Sequence, residues 1–147
     1  MFKWQGRIDN EDGLEGLRWH QKVDEHAYRE NGNLTSVNNS DKRATIDNTV
    51  TLVGFECDLG VAFNKGRTGA AAGPNAIRQA LSNLPWHWPN TSFTDLGNVT
   101  AVDNLAQAQT QYADAICYAL KQNDGLVIGL GGGHEIAWGS YQGVFNA

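Results

Sequence analysis

The strongest chemical signal in the chain is the run Gly131-Gly132-Gly133-His134-Glu135. Three glycines let the backbone turn tightly and come close to a ligand. A histidine at such a turn can aim an imidazole nitrogen into a cleft, and neutral imidazole is a common ligand for divalent transition metals. Two other readings compete. A dinucleotide loop needs Gly-x-Gly-x-x-Gly, but the frame that starts at Gly129 places His134 where the last glycine belongs. No Gly-Lys-Ser/Thr follows, so a phosphate loop is disfavoured as well. A hydrogen-bonded structural histidine remains open on the residues alone.

A second glycine-rich segment spans residues 64–74, from Asn64 through Gly66, Arg67 and Gly69 to Pro74. Arg67 can clamp a carboxylate through two parallel N–H bonds, and Asn64 can offer amide hydrogen bonds. Both could equally do no more than hold the loop together. Arg78 falls inside the following helix and is expected to form a structural ion pair. Asp58 could line a cleft. His20 and His26 are expected on the surface, and His87, between Trp86 and Trp88, either borders the cleft or covers the sheet. No Ser/His/Asp or Cys/His grouping has local support, which disfavours a serine or cysteine nucleophile. Cys57 and Cys117 lie far apart among apolar neighbours and are read as buried, reduced thiols.

The elements that must position these residues follow from periodicity. Residues 48–55 (NTVTLVGF) are β-branched and apolar and read as a strand. Gly73-Pro74 opens a helix over residues 74–83, with Ile77, Ala80, Leu81 and Leu84 as its apolar stripe. Residues 91–96 read as a short strand. Asp103 caps a long helix to about Gln122, striped by Leu105, Ala108, Tyr112, Ala115, Ile116, Ala119 and Leu120. Residues 126–130 (LVIGL) have the character of a strand buried on both faces, and residues 136–145 form the next helix. Residues 1–45 are polar and expected to be irregular, with one helical candidate over 14–28 and a solvated linker at 38–42; the sheet domain occupies 46–147. This alternation predicts an α/β domain with a parallel sheet, and ligands collect at the carboxyl ends of such strands. Both glycine-rich segments fall there.

At 147 residues the chain can bury one core. Its net charge of −5 argues against a nucleic-acid surface. No apolar run approaches the roughly 20 residues of a membrane span, and the first ten residues lack the apolar core of a signal peptide. Cytoplasm is the expected location.

Residues 64–81 (NKGRTGAAAGPNAIRQAL) resemble the first loop and helix of ureohydrolases, the family of arginase and agmatinase. Residues 126–140 (LVIGLGGGHEIAWGS) resemble the family's first metal motif, where a Gly-Gly-x-His segment supplies a histidine to a two-manganese site. Gly-Gly-Gly-His-Glu, the 64–69 segment, WQGRID at 4–9 and RWHQ at 18–21 are similar to the formimidoylglutamase branch. The resemblance implies a three-layer α/β/α fold of which this chain supplies the N-terminal part. It implies His134 as a ligand to Mn2+; residue chemistry and loop position add Asn64 and Arg67 as expected substrate contacts and Glu135 as an expected outer partner orienting a ligand. The reaction implied is hydrolysis of the small molecule N-formimidoyl-L-glutamate to L-glutamate and formamide, in histidine degradation. Agmatinase or another guanidino-compound hydrolase is the alternative, and a non-catalytic truncated chain the other. The family's remaining ligands lie in Asp-x-His-x-Asp and Asp-x-Asp segments that these 147 residues lack. A fragment, inactive and without tight manganese by itself, is therefore expected; a homo-oligomer is left open for the complete enzyme.

Overall fold

In the computed structural model the described residues are 2–27, 35–36, 48–101, 103–122 and 125–147. The expected linker at 38–42 lies outside them. Five strands form one sheet: β1 (Val23–Ala27), β2 (Thr35–Ser36), β3 (Asn48–Glu56), β4 (Thr91–Thr100) and β5 (Leu126–Leu130), in the order β2-β1-β4-β3-β5. The β1–β4, β4–β3 and β3–β5 pairs are parallel, and the β1–β2 pair is antiparallel. The helices are α1 (Leu59–Phe63), α2 (Gly73–Ser82), α3 (Leu105–Gln122) and α4 (Ile136–Phe145).

Strand β3 sits between β4 and β5, so residues 51–55 are all buried although they alternate between faces. Val53, Phe55 and Cys57 point to the α3 side, where Leu96, Ala108, Tyr112, Ala115, Ile116 and Ala119 complete one core. Leu52 points to the opposite side and joins Trp4, Trp19, Val23, Trp86, Phe93 and Leu130. Helices on one face, with α2 and the N-terminal segment on the other, make the expected three layers.

Several sequence expectations are corrected. The helix expected over 14–28 does not form: Trp19–Gln21 is a single 3-10 turn and Val23–Ala27 is the sheet strand β1. Pairing with β4, together with burial of Trp19 against Phe93 at 4.8 Å between ring centroids, outweighs local helical spacing. The strand expected at 91–96 runs on to Thr100, through a bulge where Val53 opposes both Leu96 and Gly97. Gly97 takes φ 78° there, the left-handed conformation such a bulge favours. α3 is capped by Asn104, whose Oδ1 accepts the Gln107 N–H at 3.1 Å, and not by Asp103. β5 is not buried on both faces: it is the outer strand among the described residues, and Leu126 is 60% exposed.

Of the stripe expected on α2 only Leu81 packs against the core, and Ala80 is exposed. Ile77 and Leu84 are exposed, and the helix turns Pro74, Arg78 and Ser82 inward at i, i+4, i+8 spacing. Arg78 is fully buried and makes the expected ion pair. Its Nε and Nη2 donate to the two carboxylate oxygens of Asp95, each at 2.7 Å. Nη1 donates to Asn98 Oδ1 at 2.6 Å and Nη2 to Gly97 O at 3.0 Å. Asp95 accepts further from Trp4 Nε1 at 2.7 Å and from Gly97 N at 3.0 Å. This network pins α2, and hence the loop before it, to the bulge of β4.

Helix α4 packs on α3 through Gly139 and Gly143, both buried. A Cβ on Gly143 would lie 2.6 Å from Ile116 Cβ and 2.8 Å from Ala113 O. Gly143→Ala should therefore push α4 off α3 and cost about 1–3 kcal/mol, the range for overpacking. A shift in urea midpoint reads this directly, and an unchanged midpoint would show that the two helices are less closely seated. The outward face of α4 carries Trp138, Tyr141 and Phe145 as an exposed aromatic stack, the first pair 5.7 Å apart and tilted by 22°.

Candidate metal and substrate site

His134 lies just past the carboxyl end of β5, in a turn that leads into α4. The turn is tied to the end of β3, with Gly133 N–H donating to Cys57 O at 2.8 Å. Gly132 packs so closely on this backbone that a Cβ there would lie 2.7 Å from Phe55 O. Ala137 N–H closes on His134 O at 3.1 Å and starts the helix. The glycines thus serve close backbone approach, as their sequence suggests. The imidazole itself is exposed, and no side chain among the described residues hydrogen-bonds it.

The segment after β3 faces this turn. Residues 59–63 form the short helix α1, where the sequence suggests no more than a glycine-marked loop. Lys65 closes it at φ 55°, and Gly66 N–H returns to Val61 O at 2.8 Å. Asp58 holds the far end of the loop: its Oδ2 accepts from Gly69 N at 2.6 Å and Ala71 N at 3.4 Å. Asp58 therefore shapes the loop more than it lines a cleft. The Ala70–Ala72 turn then feeds α2.

Gly60, Val61, Asn64, Gly66, His134 and Glu135 line one shallow cavity of about 360 Å³. The structure thus brings His134, Glu135 and Asn64 together. Arg67 is exposed on the same loop, outside the cavity wall, with no ion-pair partner among the described residues. His87 is excluded: it precedes β4 and sits at the opposite end of the parallel strands. His20 and His26 are half-buried, not exposed, and His20 Nδ1 lies 2.9 Å from Ser82 O.

Glu135 does not reach His134. Its Oε1 accepts from Gly60 N at 2.9 Å and from the Cys57 thiol at 3.6 Å. Burial, the largest influence, pushes the Cys57 thiol up, with the negative charge of Glu135 acting in the same direction. Both cysteines are free; Cys57 is buried as expected, while Cys117 is only half-buried and donates to Asn146 O at 3.2 Å.

The donor set tests whether a metal fits. His134 brings an exposed imidazole to the cavity, with no hydrogen-bonding side chain among the described residues. Among the described residues no group of three or more His, Cys, Asp and Glu could hold an ion. These residues therefore fit one corner of a metal site, since one histidine cannot hold two manganese ions. No helix among the described residues is long and apolar enough to cross a membrane.

Comparison with known proteins gives the family and the fold. Residues 48–147 match the arginase family. Formimidoylglutamase of Photobacterium profundum is 44% identical over 146 residues, covering 98% of this chain and 35% of that protein. Formimidoylglutamase of Aliivibrio fischeri is 46% identical over 145 residues, covering 98% and 36%. The chain thus spans about a third of the length of these curated relatives. An arginase superfamily protein from Trypanosoma cruzi superposes with a TM-score of 0.60 at 24% identity, over 73% of this chain and 38% of that one. Oxidized Trypanosoma cruzi formiminoglutamase, crystallised with Mn2+ at pH 6.0, gives 0.58 at 24%, over 73% and 39%. The two structures share the arginase-like α/β fold with this chain.

Proposed function

Because the chain belongs to the arginase family, we propose that it forms the N-terminal part of a metal-dependent C–N hydrolase acting on N-formimidoyl-L-glutamate in the cytoplasm. The observation that carries the reading is the exposed His134 imidazole, without a side-chain partner among the described residues, set beside Asn64 at the carboxyl ends of β3 and β5. The names of the curated relatives support the substrate.

In this reading His134 holds one manganese through a ring nitrogen, and the other donors come from outside these residues. When bound, manganese supplies Lewis acidity, which makes hydroxide available near neutral pH. Oxygen adds to the formimidoyl carbon, the bond from that carbon to the glutamate nitrogen breaks, and the nitrogen takes a proton. The products are formamide and L-glutamate, so one water is consumed and the atoms balance. Asn64 offers amide hydrogen bonds at the cavity wall. Arg67, with its guanidinium free at the loop surface, takes a substrate carboxylate in a two-pronged grip.

Arg67 is testable apart from the metal. With the complete hydrolase, Arg67→Ala should raise KM for N-formimidoyl-L-glutamate about tenfold, the worth of one hydrogen bond to a charged group. It should leave kcat near its parent value. A substrate panel that includes agmatine separates this reading from a guanidino-compound hydrolase. An unchanged KM would remove Arg67 from substrate recognition.

A further inference from the structure

We propose that Glu135 is a positioning residue, whose carboxylate latches the turn bearing His134 to the loop bearing Asn64 and so fixes the metal donor relative to the substrate loop. The inference rests on the reading of His134 as a metal donor, and it replaces the sequence-based idea that Glu135 orients a ligand by direct contact.

Three observations converge on it. First, the carboxylate reaches across 75 residues of sequence to the Gly60 N–H. That N–H is in the first turn of α1 and has no acceptor within the helix, so a carboxylate there is favourable. Second, the two segments are already touching through Gly133 N–H and Cys57 O at 2.8 Å, with the Cys57 thiol donating to the same Glu135 oxygen. The latch therefore closes a small ring of contacts and is not a lone surface bond. Third, two glycines make room for it. A Cβ on Gly60 would lie 2.9 Å from Glu135 Cδ and 3.0 Å from Oε2. A Cβ on Gly133 would overlap Oε2, and its three nearest atoms all belong to Glu135. Gly133 is not in the left-handed region, so its backbone would accept alanine. The seat of the carboxylate is what an added methyl would contest.

The arrangement leaves the His134 imidazole untouched while restraining the backbone on either side of it. Asp58 acts at the other end of the same loop through Gly69 and Ala71. Between these two anchors the side chains of Asn64 and Arg67 are exposed. A site whose donor and substrate groups arise from separate loops needs such fixed spacing, because small misplacements are costly.

The test uses amide hydrogen exchange followed by NMR on the 147-residue chain, and Mn2+ titration of the complete hydrolase. Without metal, Glu135→Ala should speed exchange at Gly60 about tenfold, the effect of losing a charge-assisted hydrogen bond. Glu135→Gln should recover most of the protection, because its carboxamide oxygen can accept the same N–H. Gly133→Ala, which keeps the carboxylate but occupies its seat, should match Glu135→Ala, and the double variant should add nothing further. Unchanged Gly60 exchange in both single variants would overturn the latch. In the second arm, half-saturation of the complete hydrolase with Mn2+ should need about tenfold more metal in Glu135→Ala than in the parent, given that outer contacts tune metal affinity by about 10–100-fold. Faster Gly60 exchange with an unmoved titration would overturn the positioning role. A complete parent hydrolase that takes up no Mn2+ would strike at the metal reading itself, while the Gly60 arm still decides the latch.

Discussion

Arg78→Ala is expected to destabilise the chain by about 3–5 kcal/mol, the cost of leaving a buried charge without its partner. Native stability is only about 5–15 kcal/mol, so this variant should be partly or wholly unfolded at modest denaturant. The size follows from what is left behind. Asp95 is 2% exposed and would lose both guanidinium bonds, keeping only Trp4 Nε1 and Gly97 N as donors. Asn98 Oδ1 and Gly97 O would each lose their Arg78 donor. Urea denaturation of parent and variant reads the difference. A loss below about 1 kcal/mol would match a surface pair and contradict the burial seen here. Replacing Arg78 with Met together with Asp95→Leu should recover much of the loss, since apolar pairs of similar volume often serve as well as a buried ion pair. The network does more than stabilise. Arg78 holds α2 to the β4 bulge, and at the start of α2 Gly73 packs against Gly131 in the His134 turn. Losing Arg78 should therefore loosen the turn bearing His134 and the loop bearing Asn64 together.

The sequence makes some of this legible and conceals the rest for identifiable reasons. β3, α3, α4 and the start of α2 are readable because each has a local signal: a β-branched run, an apolar stripe, or a proline at the first turn. His134 is correctly placed at a strand's carboxyl end because glycines after a short apolar run mark such turns. β1 is hidden because VDEHA is polar; its strand conformation comes from β4, some 70 residues on. The inward face of α2 is obscured because an arginine occupies the middle of the buried row, and its partner Asp95 is 17 residues away. Glu135 stands out beside His134, but its acceptor role toward Gly60 carries no spacing signature across 75 residues. Local chemistry can nominate residues. Long-range hydrogen bonds decide what they touch.

His134→Ala should separate function from folding more sharply than any other change in this chain. The imidazole is exposed and has no side-chain partner among the described residues, so its removal should shift the urea midpoint by no more than about 0.5 kcal/mol in stability, as for other surface changes. A structural histidine, the alternative left open by the glycine run, would cost more. In the complete hydrolase the same substitution would, on the proposed reading, remove a metal donor outright. Activity should fall by more than about 100-fold, because even outer partners of metal ligands cost about 10–100-fold. Manganese content after dialysis should fall with it. Gly132→Ala provides the contrast: its Cβ would press on Phe55 O, so it should lower stability as well as activity. Full activity with manganese retained in His134→Ala would end the ligand assignment. A large stability loss in that variant would return His134 to the structural role. The expected pattern, a stable chain that cannot keep its metal, follows from an imidazole held in place by its backbone and left free at its nitrogen.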